Sequence, residues 1–313
     1  MRSIQRPLTG LRVGISISET ADMAARGFSA AGLGRLTVGF TQALLGQGAR
    51  LGFGHDWRQR GIMESLCAYA VADLPSFGKT KEPALLNLLP WPSQTALSAE
   101  LLARLEGVLE VRQAGLPEDL QPRVEGSVGP EARAYLVSRG LSHLRRELTR
   151  ACGARIAIGG KVAGFSGRYP GVLEESLFAL AAGQPVYLVG LLGGTADAVG
   201  RAILDRAAMP EGFGAGPGEP IGKELRSLEK VYRDEAAGAE VPDPLDDRAC
   251  DLPATWRWLQ EFGAERLAAL NGLSREDNRR LLTTRIEEEA LALVLEGLRR
   301  GRELREQVRL LDP

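Results

Sequence analysis

Apolar and polar positions follow one another along this chain in blocks that predict strand after helix. The run LRVGISIS at 11–18 is apolar enough for a buried strand, and the small, polar stretch 19–32 after it reads as a loop. Leu33, Leu36, Phe40 and Leu44 then recur at helical spacing until Gly46 and Gly48 stop the pattern. ARLGFGHD at 49–56 predicts a second short strand, GIMESLCAYAVA at 61–72 a helix, and PALLNLLPW at 83–91 a third strand closed by prolines. Between 98 and 130 the pattern is mixed, with a helix expected over 99–110 and a loop beyond it.

From Pro130 the pattern sharpens. Proline suits a first helical turn, and Val137, Leu141, Leu144 and Leu148 form an apolar stripe. The strand ARIAIGG, a glycine-rich loop, the helix GVLEESLFALAAG, the strand PVYLVG and the helix LLGGTADAVGRAILDRAA complete an alternating series. Strand and helix in this order predict an α/β fold, a Rossmann-like doubly wound parallel sheet, with a C-terminal helical extension. The expected division is a nucleotide-binding domain at 1–210, a glycine-, proline- and acid-rich connector at 211–252, and a helical region at 253–313. The strongest helix of that last region is LTTRIEEEALALVLEGLRRG. There Leu282, Ile286, Ala290 and Leu293 share an apolar face that Leu291, Val294 and Leu298 widen. That face either packs on its own domain or meets another copy, and the expectation is a homo-oligomer.

Composition narrows the function classes. A formal net charge of −1, with no basic stripe, argues against nucleic acid as the partner. No run of apolar residues is long enough for a membrane span and the first residues lack an apolar signal core, so the expectation is a cytoplasmic protein. Cys67, Cys152 and Cys250 are widely spaced, and His55 and His143 are the only imidazoles, so neither a disulfide framework nor a metal centre is expected. No cofactor is expected either.

Glycine is the informative residue. In a doubly wound sheet ligands sit beyond the carboxyl ends of the strands, and four stretches deliver small or polar residues there. They are Ser16 to Ser18, GFGHD with Gly54, His55 and Asp56, the pair Gly159 and Gly160, and GLLGGTA with Gly193 and Gly194. Bare backbone amides followed by a helix N-terminus favour a phosphate-bearing, nucleotide-shaped ligand. GLLGGTADAVG also resembles a dinucleotide fingerprint, but the acidic residue expected to follow a strand is Asp205, inside a helix. That argues against an NAD-dependent dehydrogenase.

In chain order these pieces resemble the SLOG superfamily, which includes the LOG phosphoribohydrolases and the DprA proteins. GFGHDWRQRGIME is similar to the LOG second-strand signature, and YLVSRGLSHLRR occupies the place of the "M..RK" helix and offers Arg139. The hallmark "PGGxGTxxE" is echoed by IGG and then PGVLEE, which aligns Gly171 with its second-half glycine and Glu175 with the catalytic glutamate. The chain departs from the family pattern in three ways. No proline precedes Gly159, residues 161–170 separate the two halves and carry Lys161 and Arg168, and Val172 replaces the threonine. The resemblance implies a nucleotide-type small-molecule ligand. It offers two roles: a SLOG-type sensor of an NAD-derived or cyclic nucleotide signal, as in antiviral defence effectors and TRPM channels, or an N-glycosidase. In the second, Glu175 would be the catalytic carboxylate and Arg139 its phosphate-holding partner.

Periodicity bears on two of these residues. Leu173, Leu177 and Leu180 form the buried stripe of the PGVLEE helix, and at roughly 100° per residue both Glu174 and Glu175 point away from Leu173. Only the family alignment selects Glu175. Arg139 lies opposite its helix's apolar stripe, on a face shared with Tyr135, Ser142 and Arg146, which predicts a polar face open to solvent or ligand.

Overall fold

The computed structural model of the chain describes residues 6–54, 57, 63, 66–69, 82–92, 98–125, 129–214, 230, 232, 234 and 246–311. Six strands form one sheet: β1 Arg12–Ser18, β2 Arg50–Gly54, β3 Leu85–Pro90, β4 Leu109–Gly115, β5 Ala154–Gly159 and β6 Val186–Val189. Every pairing is parallel and the order is β4-β3-β2-β1-β5-β6. The chain winds outward from β1 in one direction and then, from β5, in the other. The crevice between the carboxyl ends of β1 and β5 is therefore the switch point where such sheets hold ligands.

The helices cover both faces. They are α1 Ala30–Gly46, α2 Ala99–Arg104, α3 Pro130–Ala151, α4 Gly171–Ala181, α5 Gly194–Asp205, α6 Leu252–Asn271, α7 Arg275–Thr283 and α8 Glu287–Leu311. Local chemistry sets several of their starts. Ser29 caps α1 by accepting from the Gly32 amide at 3.1 Å, Asp251 caps α6 through Ala254, and Ser274 caps α7 through Asp277. Strands β3, β5 and β6 are buried at every position, as strands covered on both faces must be, although β6 closes one edge of the sheet.

Three expectations need correction. The helix expected over 99–110 ends at Arg104, and the stretch beyond it is strand β4 at the sheet edge. Unlike β6 at the other edge, this edge strand is half exposed, so LEVRQAG carries polar residues that conceal its extended shape. The helix expected within 61–72 falls largely outside the described residues, although Met63 and 66–69 are helical. Finally, the C-terminal helix is two helices. The Thr284 hydroxyl accepts from the Ile286 amide and donates to Glu289, which ends α7 and restarts the chain as α8.

That break turns Ile286 out to solvent, while Ala290, Leu293, Val294 and Leu298 pack into the same core as β1 and α1. The apolar face expected to meet a second copy is thus occupied by the chain's own domain. Gly190 and Gly200 permit α7 to dock: a Cβ on Gly190 would stand 1.8 Å from the Leu282 carbonyl oxygen. Among the described residues no helix is long and apolar enough to cross a membrane.

Candidate functional site

A cavity of about 280 Å³ opens at the β1/β5 switch point. Its floor is the end of β1, including Ser16 and Ser18, with Phe53 and Gly54 of β2 alongside. Its rim is the loop after β5, with Lys161 and Phe165, and its far wall is the first turn of α4, with Gly171, Val172 and Glu175. Ser16, Ser18, Gly54, Lys161, Gly171 and Glu175, all expected at a ligand site, therefore meet in one place.

The remaining candidates that the structure describes lie elsewhere. Gly159 and Gly160 do not line the cavity; they turn the chain beneath it. Gly159 has φ +65°, and a Cβ there would meet the Ser18 carbonyl at 2.5 Å, so this reversal requires glycine. Gly160 is pressed against Val172, and its carbonyl accepts from the Thr195 amide at 3.0 Å. Gly193 and Gly194 are closed off by the loop after β1. The Asp22 carboxylate accepts from the Gly194 amide at 2.9 Å, and Arg26 donates to the Gly190 carbonyl. A carboxylate of the chain itself thus takes the helix N-terminus that was expected to face a ligand. His55 and Asp56 lie outside the described residues.

Arg139 is not on an open face. It is 3% exposed, donates to the Tyr135 hydroxyl at 2.8 Å and to Asp119 at 3.0 Å, and lies 3.8 Å from Asp247. Burial pulls its pKa down, but Asp247, Tyr135 and Asp119 outweigh that and raise it, so the guanidinium is firmly charged. The polar face of α3 is covered by the 3-10 segment Glu118–Glu125 and by Tyr232, whose hydroxyl bonds Ser138 at 2.7 Å. What periodicity presents as a solvated face is a buried polar seam.

The two adjacent glutamates separate completely. Glu174 is fully buried: Ser142, Arg145 and Arg168 all donate to it. Burial pushes its pKa up, yet the Arg168 and Arg145 guanidiniums and the Ser142 hydroxyl overcome this and leave it below the ordinary glutamate value. Arg168, also fully buried, donates onward to the carbonyls of Asp246 and Ala249 and lies over the rings of Tyr169 and Phe178. It therefore pins the segment before α6 to the first turn of α4 instead of facing the cavity. Tyr169 assists by accepting from the Asp251 amide at 2.9 Å; burial pushes its hydroxyl up to about 12.

Glu175 faces the other way. Its Oε2 accepts from the Ser16 hydroxyl and from Arg155 Nη1 at 3.0 Å. Its Oε1 lies 3.9 Å from Arg145 and 3.7 Å from where a Cβ on Gly54 would stand, so bare backbone adjoins this oxygen. Arg155 is a site residue that sequence reasoning missed. The signal was present: one arginine inside ARIAIGG, a strand otherwise apolar, must find a buried partner. Arg145 was missed as well, between the two glutamates it bridges and beneath Gly167 and Gly171. Arg155, Glu175, Arg145, Glu174 and Arg168 thus form a chain of alternating charge. Three guanidiniums against two carboxylates leave it one positive charge in excess, and Lys161 adds a second at the rim.

Comparison with known proteins gives one result. The family model described as SLOG cluster2 matches residues 7–281. No curated protein and no solved structure matches the chain.

Proposed function

The chain belongs to the SLOG superfamily, and from that premise we propose that the switch-point cavity binds a phosphate-bearing nucleotide or NAD-derived ligand as a sensor site. The observation that carries this reading is the charge balance beneath the cavity. Although a carboxylate lines the wall, two guanidiniums, Arg155 and Arg145, flank it, and Lys161 stands exposed at the rim where a phosphate would enter. Phe165, half-buried at the rim, supplies an apolar surface for a base. The volume lies near the lower end for ligand pockets, which suits a mononucleotide or one half of a dinucleotide.

Retention without turnover is favoured by the wall itself. Val172 offers no hydroxyl to the ligand, and Glu175 is already held by Ser16 and Arg155. One observation supports N-glycosidase chemistry as the second reading: Glu175 Oε1 adjoins the bare backbone of Gly54 at the cavity wall. A carboxylate so placed can stabilise positive charge developing at a ribose carbon or take a proton from water. Titration calorimetry with AMP, NAD, ADP-ribose and a cyclic dinucleotide, followed by chromatography for free base, separates the two. Saturable binding without released base supports the sensor, and base release that stops in Glu175→Gln supports the enzyme. If none of these nucleotides binds, the anion site is refuted.

A further inference from the structure

Arg155 occupies an unusual position for an arginine. It is the second residue of β5, in a strand buried at every position, and is itself 0% exposed. An apolar residue there would need no partner, whereas a buried guanidinium must be met by charge and hydrogen bonds. Room is made for it by its cross-strand neighbour. A Cβ on Gly14, in register with Arg155, would lie 2.8 Å from the guanidinium carbon. The two residues therefore act as a pair, with glycine on β1 allowing the long side chain to run along the sheet face toward the carboxyl edge.

At that edge the donors converge on one atom. Arg155 Nη1 donates to Glu175 Oε2 at 3.0 Å and to Ser16 Oγ at 3.2 Å, and the Ser16 hydroxyl donates its own proton to the same Oε2. Nη2 donates to Thr149 at 3.3 Å, which fixes the plane of the guanidinium from α3. Nε finds no partner, so the geometry is not optimised for Arg155's own satisfaction. What it does accomplish is to saturate one oxygen of Glu175 from below and leave Oε1 beside Gly54 at the cavity wall.

We propose that Arg155 is a positioning residue: it never touches the ligand, and it acts by holding Glu175 in the one orientation that presents Oε1 to a ligand hydroxyl or N–H. This rests on the reading of the cavity as a ligand site. The test is a double-mutant cycle on the full chain with wild type, Arg155→Met, Glu175→Gln and the double variant, using ADP-ribose in titration calorimetry. Arg155→Met weakens binding about tenfold when Glu175 is present and less than about twofold in the Glu175→Gln background. Arg155→Lys, which keeps the charge but not the fork, recovers part of the loss. Equal losses in both backgrounds overturn the proposal, because a residue that merely supports the fold is indifferent to Glu175. If wild type binds no ADP-ribose, the ligand reading fails by itself, and the melting temperatures of the same four proteins still decide the pairing. Arg155→Met then lowers the melting temperature more with Glu175 present than with glutamine there; an equal drop overturns the pairing. Should Arg155→Met not fold, Arg155→Lys closes the same cycle.

Discussion

The two sides of the first turn of α4 receive the same side chain one residue apart and build opposite environments. On one side Glu174 is sealed between α3, the loop end at Arg168 and the segment before α6, with three donors on its carboxylate. On the other, Glu175 is anchored by one oxygen to the sheet and keeps the other at the wall of a cavity. Glu174 lies in the first turn and Glu175 just beyond it, so the helix dipole favours both and does not explain their different surroundings. The difference comes from what the surrounding elements bring. Where arginines enclose the carboxylate from several directions it becomes a structural tie, and where donors arrive from one side only it remains available to a ligand.

The largest expected effect lies on the sealed side. Glu174→Gln leaves Arg145 and Arg168 without their shared counter-charge, and breaking a buried pair in this way costs about 3–5 kcal/mol. Urea denaturation should show that loss, while binding of nucleotide by the folded fraction persists. The same site makes a pH prediction. The folded pKa of Glu174 lies below the value of 4.5 for a free glutamate, so its contribution to stability is complete above about pH 4.5 and disappears as the pH falls through the lower folded value. The stability gap between wild type and Glu174→Gln should therefore be flat near neutrality and narrow in acid. A gap that widened on acidification would contradict the assignment.

Arg139 extends the comparison to a second buried seam. Arg139→Ala removes the donor to the Tyr135 hydroxyl and to Asp119 and one of the two arginines near Asp247, and should cost about 1–3 kcal/mol in unfolding experiments, with nucleotide affinity unchanged within about twofold. Affinity lost without stability lost would restore the ligand role that the family resemblance implies for this position. The smallest effect belongs to the rim. Lys161→Ala should weaken phosphate-bearing nucleotides by about tenfold, leave their nucleosides unaffected, and change stability by less than about 0.5 kcal/mol because the side chain is exposed.

How much of this was legible in the sequence depended on where the informative contacts lie. Strands β1, β2, β3, β5 and β6 and helices α1, α3, α4 and α5 were readable because burial on one or both faces writes itself into local periodicity. The edge strand β4 was not, since its half-exposed faces carry no clear period. Among the site residues, Ser16, Gly54, Lys161, Gly171 and Glu175 follow from strand ends and from the family hallmark. The partners of the polar residues did not. Nothing local says that the Asp22 carboxylate caps α5, that the segment at Glu118–Glu125 covers Arg139, or that Gly14 is small because Arg155 crosses it. These are contacts between residues far apart in the chain, and periodicity carries no record of them.

The most direct test of the division at α4 compares Glu174→Gln and Glu175→Gln in thermal melts with and without ADP-ribose. Both variants should melt below wild type, because each leaves a buried arginine without its counter-charge, and Glu174→Gln should fall further because its carboxylate serves two guanidiniums. Glu174→Gln should still be stabilised by ligand, whereas Glu175→Gln should gain little or nothing from it. If Glu175→Gln keeps the full ligand shift while Glu174→Gln loses it, the roles of the two carboxylates are reversed.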